Sequence, residues 1–310
     1  MPIDLSSQLN VRGFLTRPEL LNEGYNDDDI RTLKRRFRLQ TIGPGLYADS
    51  AYTRLTPEEQ HLVRCRASTS RFSNNIAISH QSAALIHGAA LWKQDLTYVH
   101  VTRRDLGRGR HQAGVAHHIA ELPDTEVAEV DGTLVTSPAR TVWDVCVTSG
   151  VEAGLVTADS MLNLGLVLDR DFLDLVSRYS TWRGSRRAKM TLSLADGRSD
   201  SPGETRARLM FQRAGIPRPV LQFRVEDHGG DLIGISDFAW PEHRLLGEFD
   251  GKVKYGNPED LFKEKIREDR LRAQGWSIIR LVWSDLASSQ QRTTSARVTE
   301  ALRLAERIHS

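Results

Sequence analysis

The stretch EFDGKVKY, Glu248 to Tyr255, sets two carboxylates one residue apart, followed by a glycine, two lysines and a tyrosine. On an extended strand residues i and i+2 share a face, so Glu248 and Asp250 project to the same side. Carboxylates are hard oxygen donors for a divalent cation, and nearby lysines can stabilise a phosphate. The same letters also describe a solvated turn, because Asp-Gly is a common turn pair. Two other acids bear on the choice. Asp237 stands inside an apolar run, GISDFAW, and Glu248 itself follows LLG. An acid in such a run is costly to bury unless it is paired, hydrogen-bonded or metal-bound. Glu204 lies in the first turn of an upstream helix, where it is also the last residue of a Ser201-x-x-Glu204 capping box.

The elements that must position these acids are legible from residue 201 onward. SPGETRARLMFQRAGI reads as a helix capped by Ser201, with Pro202 at its first position and Gly215 as its stop. PVLQFRVED and LIGISDFAW read as a hairpin around Gly229-Gly230, and RLLGEFDGK as a third strand. NPEDLFKEKIREDRLRAQG is a long helix capped by Asn257 and ended by Gly275, and WSIIRLVW is a fourth strand. The order is αβββαβ. On the long helix Leu261, Phe262, Ile266 and Leu271 are expected to supply apolar contacts, with Lys263, Lys265, Arg267, Arg270 and Arg272 available to phosphate. Arg280 and Trp283 read as packing and ion-pairing residues.

That order, with SPGETRARL, GISDFAWPEHRLLGEFDG and EKIREDRLRAQGWSIIRLVW in place, resembles the PD-(D/E)xK nuclease superfamily, and within it the Vsr-like branch. The resemblance implies a restriction-endonuclease-like core that hydrolyses phosphodiester bonds with Mg²⁺ or Mn²⁺. Asp237, Glu248 and Asp250 would hold the cation, with Glu204 reaching it through water. The usual lysine of E-x-K would stand at 250, where this chain has aspartate. Lys254, with Lys252 beside it, is then the residue expected to stabilise phosphate. Lys265 and Arg267 are expected to assist from the helix.

The N-terminal 50 residues read differently. Thr16 and Glu19 form a capping box for a short helix that ends at Gly24. Asn26 and Asp27 can cap the next helix, whose apolar stripe is Ile30, Leu33 and Phe37, with Arg31, Arg35, Arg36 and Arg38 off the stripe. QTIGPGLYA then reads as two short strands around Gly-Pro-Gly. Helix, turn, basic helix and wing is the order of a winged helix-turn-helix, which places its second helix in a major groove. LTRPELLNEGYNDDDIRTLKRRFRLQTIGPGLYA also resembles the N-terminal domain of AbiEi-family antitoxins. That likeness implies DNA and a cognate toxin as partners.

Residues 51–195 follow an α/β pattern, and SHQSAALIHG and SPARTVWDVC resemble the middle region of AbiEi-like chains. ISHQSAALIHGAALW is expected to be a helix carrying His80 and His87 on one face. His117 and His118 are expected to point to opposite sides of a strand. A metal site needs three convergent ligands, and none assembles from these. SLADGRSDSPG, 193–203, is the expected linker. The domains are therefore expected at 1–50, 51–195 and 196–310, in an α/β multidomain chain.

Composition limits the partners little. Forty-two basic and 40 acidic residues leave a net charge of +2, so bulk charge does not select nucleic acid. Three local basic runs, RTLKRRFR, RRDLGRGRH and RGSRRAK, tilt toward a phosphate-bearing partner. Two distant cysteines without a CxxC argue against a disulfide framework or a zinc site and point to the reducing cytoplasm. The absence of a long apolar run argues against a membrane partner. Three readings follow: a metal-dependent DNA endonuclease, a non-catalytic DNA-binding regulator of the AbiEi type with a degenerate nuclease domain, and a protein-binding scaffold.

Overall fold

The computed structural model describes residues 9, 12–36, 39–69, 75–105, 109–251 and 258–309. Lys252, Lys254, Phe37, Arg38 and Asn257 lie outside the described residues. The chain is a mixed α/β, multidomain protein. It divides into two compact units, Met1–Ala153 with Asp169–Ala188, and Gly154–Leu168 with Lys189–Ser310.

The first unit opens with β1 (Leu15–Thr16), α1 (Arg17–Asn22), α2 (Asp27–Arg36), β2 (Gln40–Gly43) and β3 (Leu46–Ala48). The strands pair in the order β1-β3-β2. Thr16 and Glu19 form the expected capping box. Asn26 Oδ1 accepts from the Asp28 and Asp29 amides, starting α2. Ile30 and Leu33 turn inward with Leu20, Leu39 and Tyr47.

The rest of the unit holds α3 (Pro57–Thr69), β4 (Ile76–Ile78), α4 (His80–Ile86), β5 (Val99–Arg103), β6 (Arg110–Gln112), β7 (Val115–Ile119), β8 (Val127–Val130), β9 (Thr133–Thr136) and α5 (Pro138–Thr148). Six strands form one sheet in the order β6-β7-β5-β4-β9-β8. The helix expected over 78–92 is shorter. Residues 76–78 pair as a strand, and Gly88 at φ 81° turns the chain away after Ile86. His87 is the C-cap, and its Nε2 lies 2.8 Å from the Thr136 carbonyl, while His80 stacks on His118. The two histidines therefore serve different places.

The chain continues through α6 (Val151–Asn163), α7 (Asp169–Arg178) and α8 (Ser185–Leu192) into the second unit's α9 (Pro202–Arg213), β10 (Val220–Glu226), β11 (Leu232–Trp240), β12 (Leu245–Asp250), α10 (Pro258–Ala273), β13 (Ser277–Val282) and α11 (Gln291–His309). The order αβββαβ is as the sequence implied. The sheet runs β10-β11-β12-β13, antiparallel except for β12 and β13, which α10 connects as a parallel crossover. One core holds Phe211, Phe238, Trp240, Leu281, Val298 and Leu302. Another holds Val225, Ala239, Leu246, Leu271 and Trp276.

Two expectations are corrected here. Of the apolar residues on α10 only Leu271 is buried, while Leu261, Phe262 and Ile266 are exposed by 46%, 66% and 45%. Helical geometry explains this: at about 100° per residue Phe262 falls roughly 180° from Leu271 and Ile266 about 140° away. The stretch expected as a linker is packed instead. The Asp196 amide donates to Asp159 Oδ1 at 2.8 Å, and Asn163 Nδ2 donates to the Gly197 carbonyl at 3.0 Å.

Gly203 fixes α9 against the sheet. A Cβ there would lie 1.9 Å from Phe249 Cε1. Gly203→Ala therefore drives a methyl into a buried ring. Overpacking of this kind costs about 1–3 kcal/mol or more. Denaturant unfolding is expected to report a loss in that range. Unchanged stability would show that α9 is free to withdraw.

Candidate active site: a carboxylate cluster on the four-stranded sheet

β11 and β12 pair with Phe238 opposite Gly247 and Ala239 opposite Leu246. One further step of this register brings Asp237 beside Glu248. The contact is sealed by the backbone, because the Phe249 amide donates to Asp237 Oδ2 at 2.7 Å. On the other side of β12, the parallel register sets Glu248 opposite Arg280.

Glu248 is 8% exposed. Arg267 Nη2 donates to its Oε1 at 2.6 Å, and Arg280 Nε lies 3.5 Å from its Oε2. Arg280 Nε is also 3.9 Å from Asp250 Oδ2, so Glu248 and Asp250 share a face as their spacing required. Both arginines are further engaged on α10. Arg267 pairs with Glu264 at 2.8 Å, and Arg280 pairs with Glu264 at 2.9 Å and Glu268 at 3.0 Å.

Glu204 is buried at the start of α9 and caps it as expected. Its Oε1 accepts from Ser201 Oγ at 2.7 Å, and its Oε2 accepts from the Asp200 amide at 2.9 Å and Gln222 Nε2 at 3.2 Å. Gln222 adopts φ 49°, a left-handed conformation that is unfavourable for a side chain of this kind. It falls in the gap of the β10–β11 register between Leu221 and Phe223.

The carboxyls feel burial and one another. Burial pushes Glu204 up to about 7, with the charges of Asp237 and Asp200 adding to it and the Asp200 amide and Ser201 opposing. Burial likewise raises Asp237 to about 6, and Glu248, Asp200 and Asp250 push the same way against the Phe249 amide. Around β12, seven carboxylates (Asp200, Glu204, Asp237, Glu248, Asp250, Glu264 and Glu268) meet three guanidinium groups, Arg267, Arg272 and Arg280, so acids outnumber bases among the described residues.

An all-oxygen, acid-rich donor set of this kind suits Mg²⁺ or Mn²⁺, which bind through one or two carboxylates and keep several waters. Asp237, Glu248 and Asp250 are the residues that could supply its oxygens, but as placed they do not bring one oxygen each within 4.8 Å of the others, so side chains must move to close on an ion. Arg267 competes for the same oxygen of Glu248.

Of the residues singled out from sequence, Asp237, Glu248, Asp250, Glu204 and Arg267 come together here. Lys265 is exposed on α10. Arg31, Arg35 and Arg36 are exposed on α2, with Arg31 paired to Asp28. Arg280 is the ion-pairing residue the sequence suggested, with the acids of this cluster as its partners. Sequence reasoning missed Gln222 and Asp200 as parts of the cluster. In the basic run at 103–111, Arg103 and Arg104 are tied to Asp105 and Asp124.

The fold and site together define a mixed α/β protein with a buried carboxylate cluster on a mixed four-stranded sheet. No family model matches the chain. It is 31% identical over 225 residues to two uncharacterized proteins of Mycobacterium tuberculosis, MT2308 of strain CDC 1551 / Oshkosh and Rv2248 of strain ATCC 25618 / H37Rv. The match covers 72% of this chain and 82% of each relative, and the chain belongs to their family. The crystal structure of RV2827C protein from Mycobacterium tuberculosis is similar over 72% of this chain and 86% of that one, with a TM-score of 0.41 and 16% identity. Among the described residues, no helix is long and apolar enough to cross a membrane.

The raised acids set a pH dependence. Their folded values of about 6 and about 7 lie above the ordinary 3.8 and 4.5. At these two carboxyls the folded state binds protons more tightly than the unfolded chain, so their contribution to stability is present at low pH and lost as pH rises from about 4 to about 7. The buried histidines His61, His80, His100 and His118, held below their ordinary value by burial, act in the opposite sense. The comparison is therefore between chains: in EDTA, the Tm of Asp237→Asn relative to the native chain is expected to rise across that window. An equal slope in the variant would contradict the burial of this charge.

Proposed function

We propose that the chain is a metal-dependent nuclease that hydrolyses phosphodiester bonds of DNA, acting in the cytoplasm. The observation that carries this reading is the pairing of Asp237 and Glu248 on adjacent strands of an αβββαβ core, with more negative charge than the neighbouring arginines neutralise. Mg²⁺ or Mn²⁺ bound there supplies Lewis-acid polarisation of the phosphate and a lowered pKa for water.

The chain's own residues do the rest. The Phe249 amide holds Asp237 in one orientation. Arg267 and Arg280 hold Glu248 at both oxygens and keep Asp250 alongside. Glu204, raised to about 7, exchanges a proton on its carboxyl near neutrality, which suits a general base or acid for water. Lys254, with Lys252, is assigned to phosphate. Arg31, Arg35 and Arg36 on α2 give the N-terminal segment a basic face for duplex phosphates.

A second reading is favoured by one observation: Arg267 already occupies Glu248. A cluster closed in this way could serve a non-catalytic regulator, with α2 reading duplex DNA and a cognate toxin as protein partner. That reading requires sequence-selective duplex binding without metal. Selection from a random duplex pool is then expected to enrich a motif, and Arg35→Ala with Arg36→Ala to lower the salt slope by about 0.9 per lost phosphate contact. No enrichment would remove it.

The nuclease reading is tested on supercoiled, linear and single-stranded DNA with Mg²⁺, Mn²⁺ or EDTA. Cutting is expected with either metal and not with EDTA. Asp237→Ala is expected to reduce it about a hundredfold or more, as loss of a direct ligand should exceed loss of its supporting contacts. Equal cutting by that variant, its fold confirmed, would sink the assignment.

A further inference from the structure

We propose that His80, His100 and His118, in the first unit, form a binding site for a transition metal, with Zn²⁺ as the fitting ion. The three come from separate elements: the first residue of α4, the second of β5 and the fourth of β7. The parallel β5–β7 register pairs His100 with Ala116 and Thr102 with His118, so the two strand histidines lie diagonally on one face. One ring nitrogen of each residue lies within 4.8 Å of those of the other two. His100 Nδ1 and His118 Nε2 are 2.8 Å apart, and the His80 ring stacks on His118 with centroids 3.8 Å apart.

Nitrogens around a tetrahedral zinc sit about 3.3 Å apart, given bonds of about 2.05 Å. Ring rotations of roughly 1.5 Å or less thus bring all three into coordination. His100 and His118 are half-buried rather than sealed, leaving room for water as the fourth ligand.

The backbone adds an independent observation. His80 adopts φ 55° at the first position of a helix, a left-handed conformation uncommon for any residue with a side chain, although asparagine, aspartate and histidine adopt it more readily than the rest. Strain of this kind persists where the surroundings enforce it, and here it aims the imidazole at the other two.

The surrounding hydrogen bonds define how the site would switch to the metal-bound form. Gln81 Nε2 donates to the Asp95 carbonyl at 3.0 Å and faces His100 Nε2 at 2.8 Å. That amide therefore donates to His100 Nε2, which puts the ring proton on Nδ1, and Nδ1 donates to His118 Nε2. On metal binding His100 Nδ1 gives up its contact with His118. The His100 proton then sits on Nε2, and the Gln81 amide must turn to present Oε1 to it and also move off the Asp95 carbonyl, which would otherwise face that oxygen at 3.0 Å. His80 is oriented in the same way, with Nδ1 2.9 Å from Ser79 Oγ. Ligating histidines characteristically donate their second ring N–H to such partners.

Three imidazoles without a carboxylate form a borderline-soft donor set, which selects Zn²⁺, Co²⁺, Ni²⁺ or Cu²⁺ over Mg²⁺. The site is thus distinct in chemistry from the carboxylate cluster, and the two can fail independently.

The test is titration of the full chain with Zn²⁺ against a chromophoric chelator, with Co²⁺ as a spectroscopic probe. One equivalent of Zn²⁺ is expected, together with visible Co²⁺ bands of tetrahedral intensity. His80→Asn removes an imidazole without adding backbone strain, and His118→Gln keeps a polar side chain. Each is expected to weaken binding about a hundredfold or more while circular dichroism stays unchanged. His87→Gln and Asp237→Ala are expected to leave it intact. Absence of Zn²⁺ binding to the folded chain, or binding equally strong in the His80→Asn and His118→Gln variants, would overturn the proposal.

Discussion

The second unit depends on how Glu248 is kept buried. Arg267 comes to it from α10 and Arg280 from β13, so one carboxylate ties the crossover helix and the edge strand to β12. Removing one partner from a part-buried charged pair of this kind costs about 1–3 kcal/mol, because the carboxylate loses a charge-assisted hydrogen bond. α10 has little apolar contact near its start, where Leu261, Phe262 and Ile266 face outward. Its placement therefore relies on Leu271 near one end and Arg267 along its length. At the other end of β12, Trp283 Nε1 donates to the Gly251 carbonyl at 2.6 Å, and Trp283 meets Phe249 edge-on.

The same pairing sets the chemical character of the site. With its arginines in place, Glu248 needs no cation to be buried. Asp237 and Glu204 have no arginine within hydrogen-bonding reach among the described residues, and burial raises both. The cluster thus holds one compensated acid and two that gain by protonation or by meeting a cation. On the proposed function, ion binding is a contest between Arg267 and metal for one oxygen of Glu248, with Asp237 favouring the metal.

Much of this arrangement could be read from sequence. Ser201 and Pro202 mark the start of α9, Gly215 and Gly275 mark helix ends, and Gly229-Gly230 marks the hairpin. These are local signals whose physics acts within a few residues. Asp237 and Glu248 stood out because an acid in an apolar strand demands a partner. The partners were harder to identify. Arg280 meets Glu248 only through the register of a parallel crossover, which short-range patterns do not encode. Asp200 lay in a stretch whose Ser, Gly and Asp content reads as a linker, yet it packs through Asp196 and Gly197. The histidine cluster was missed for the same reason. His100 stands alone in its strand, 20 residues from His80 and 18 from His118, and only the six-stranded sheet brings them together. The long helix expected across 78–92 also hid the left-handed turn at His80.

The most direct measurement is the anomalous difference map of a Mn²⁺-soaked crystal of the full chain. A peak between the carboxyls of Asp237 and Glu248, with Arg267 moved from Glu248 Oε1, is the predicted result. Density showing the Arg267–Glu248 pair intact, with no peak at Asp237 in crystals soaked with millimolar Mn²⁺, would contradict the account.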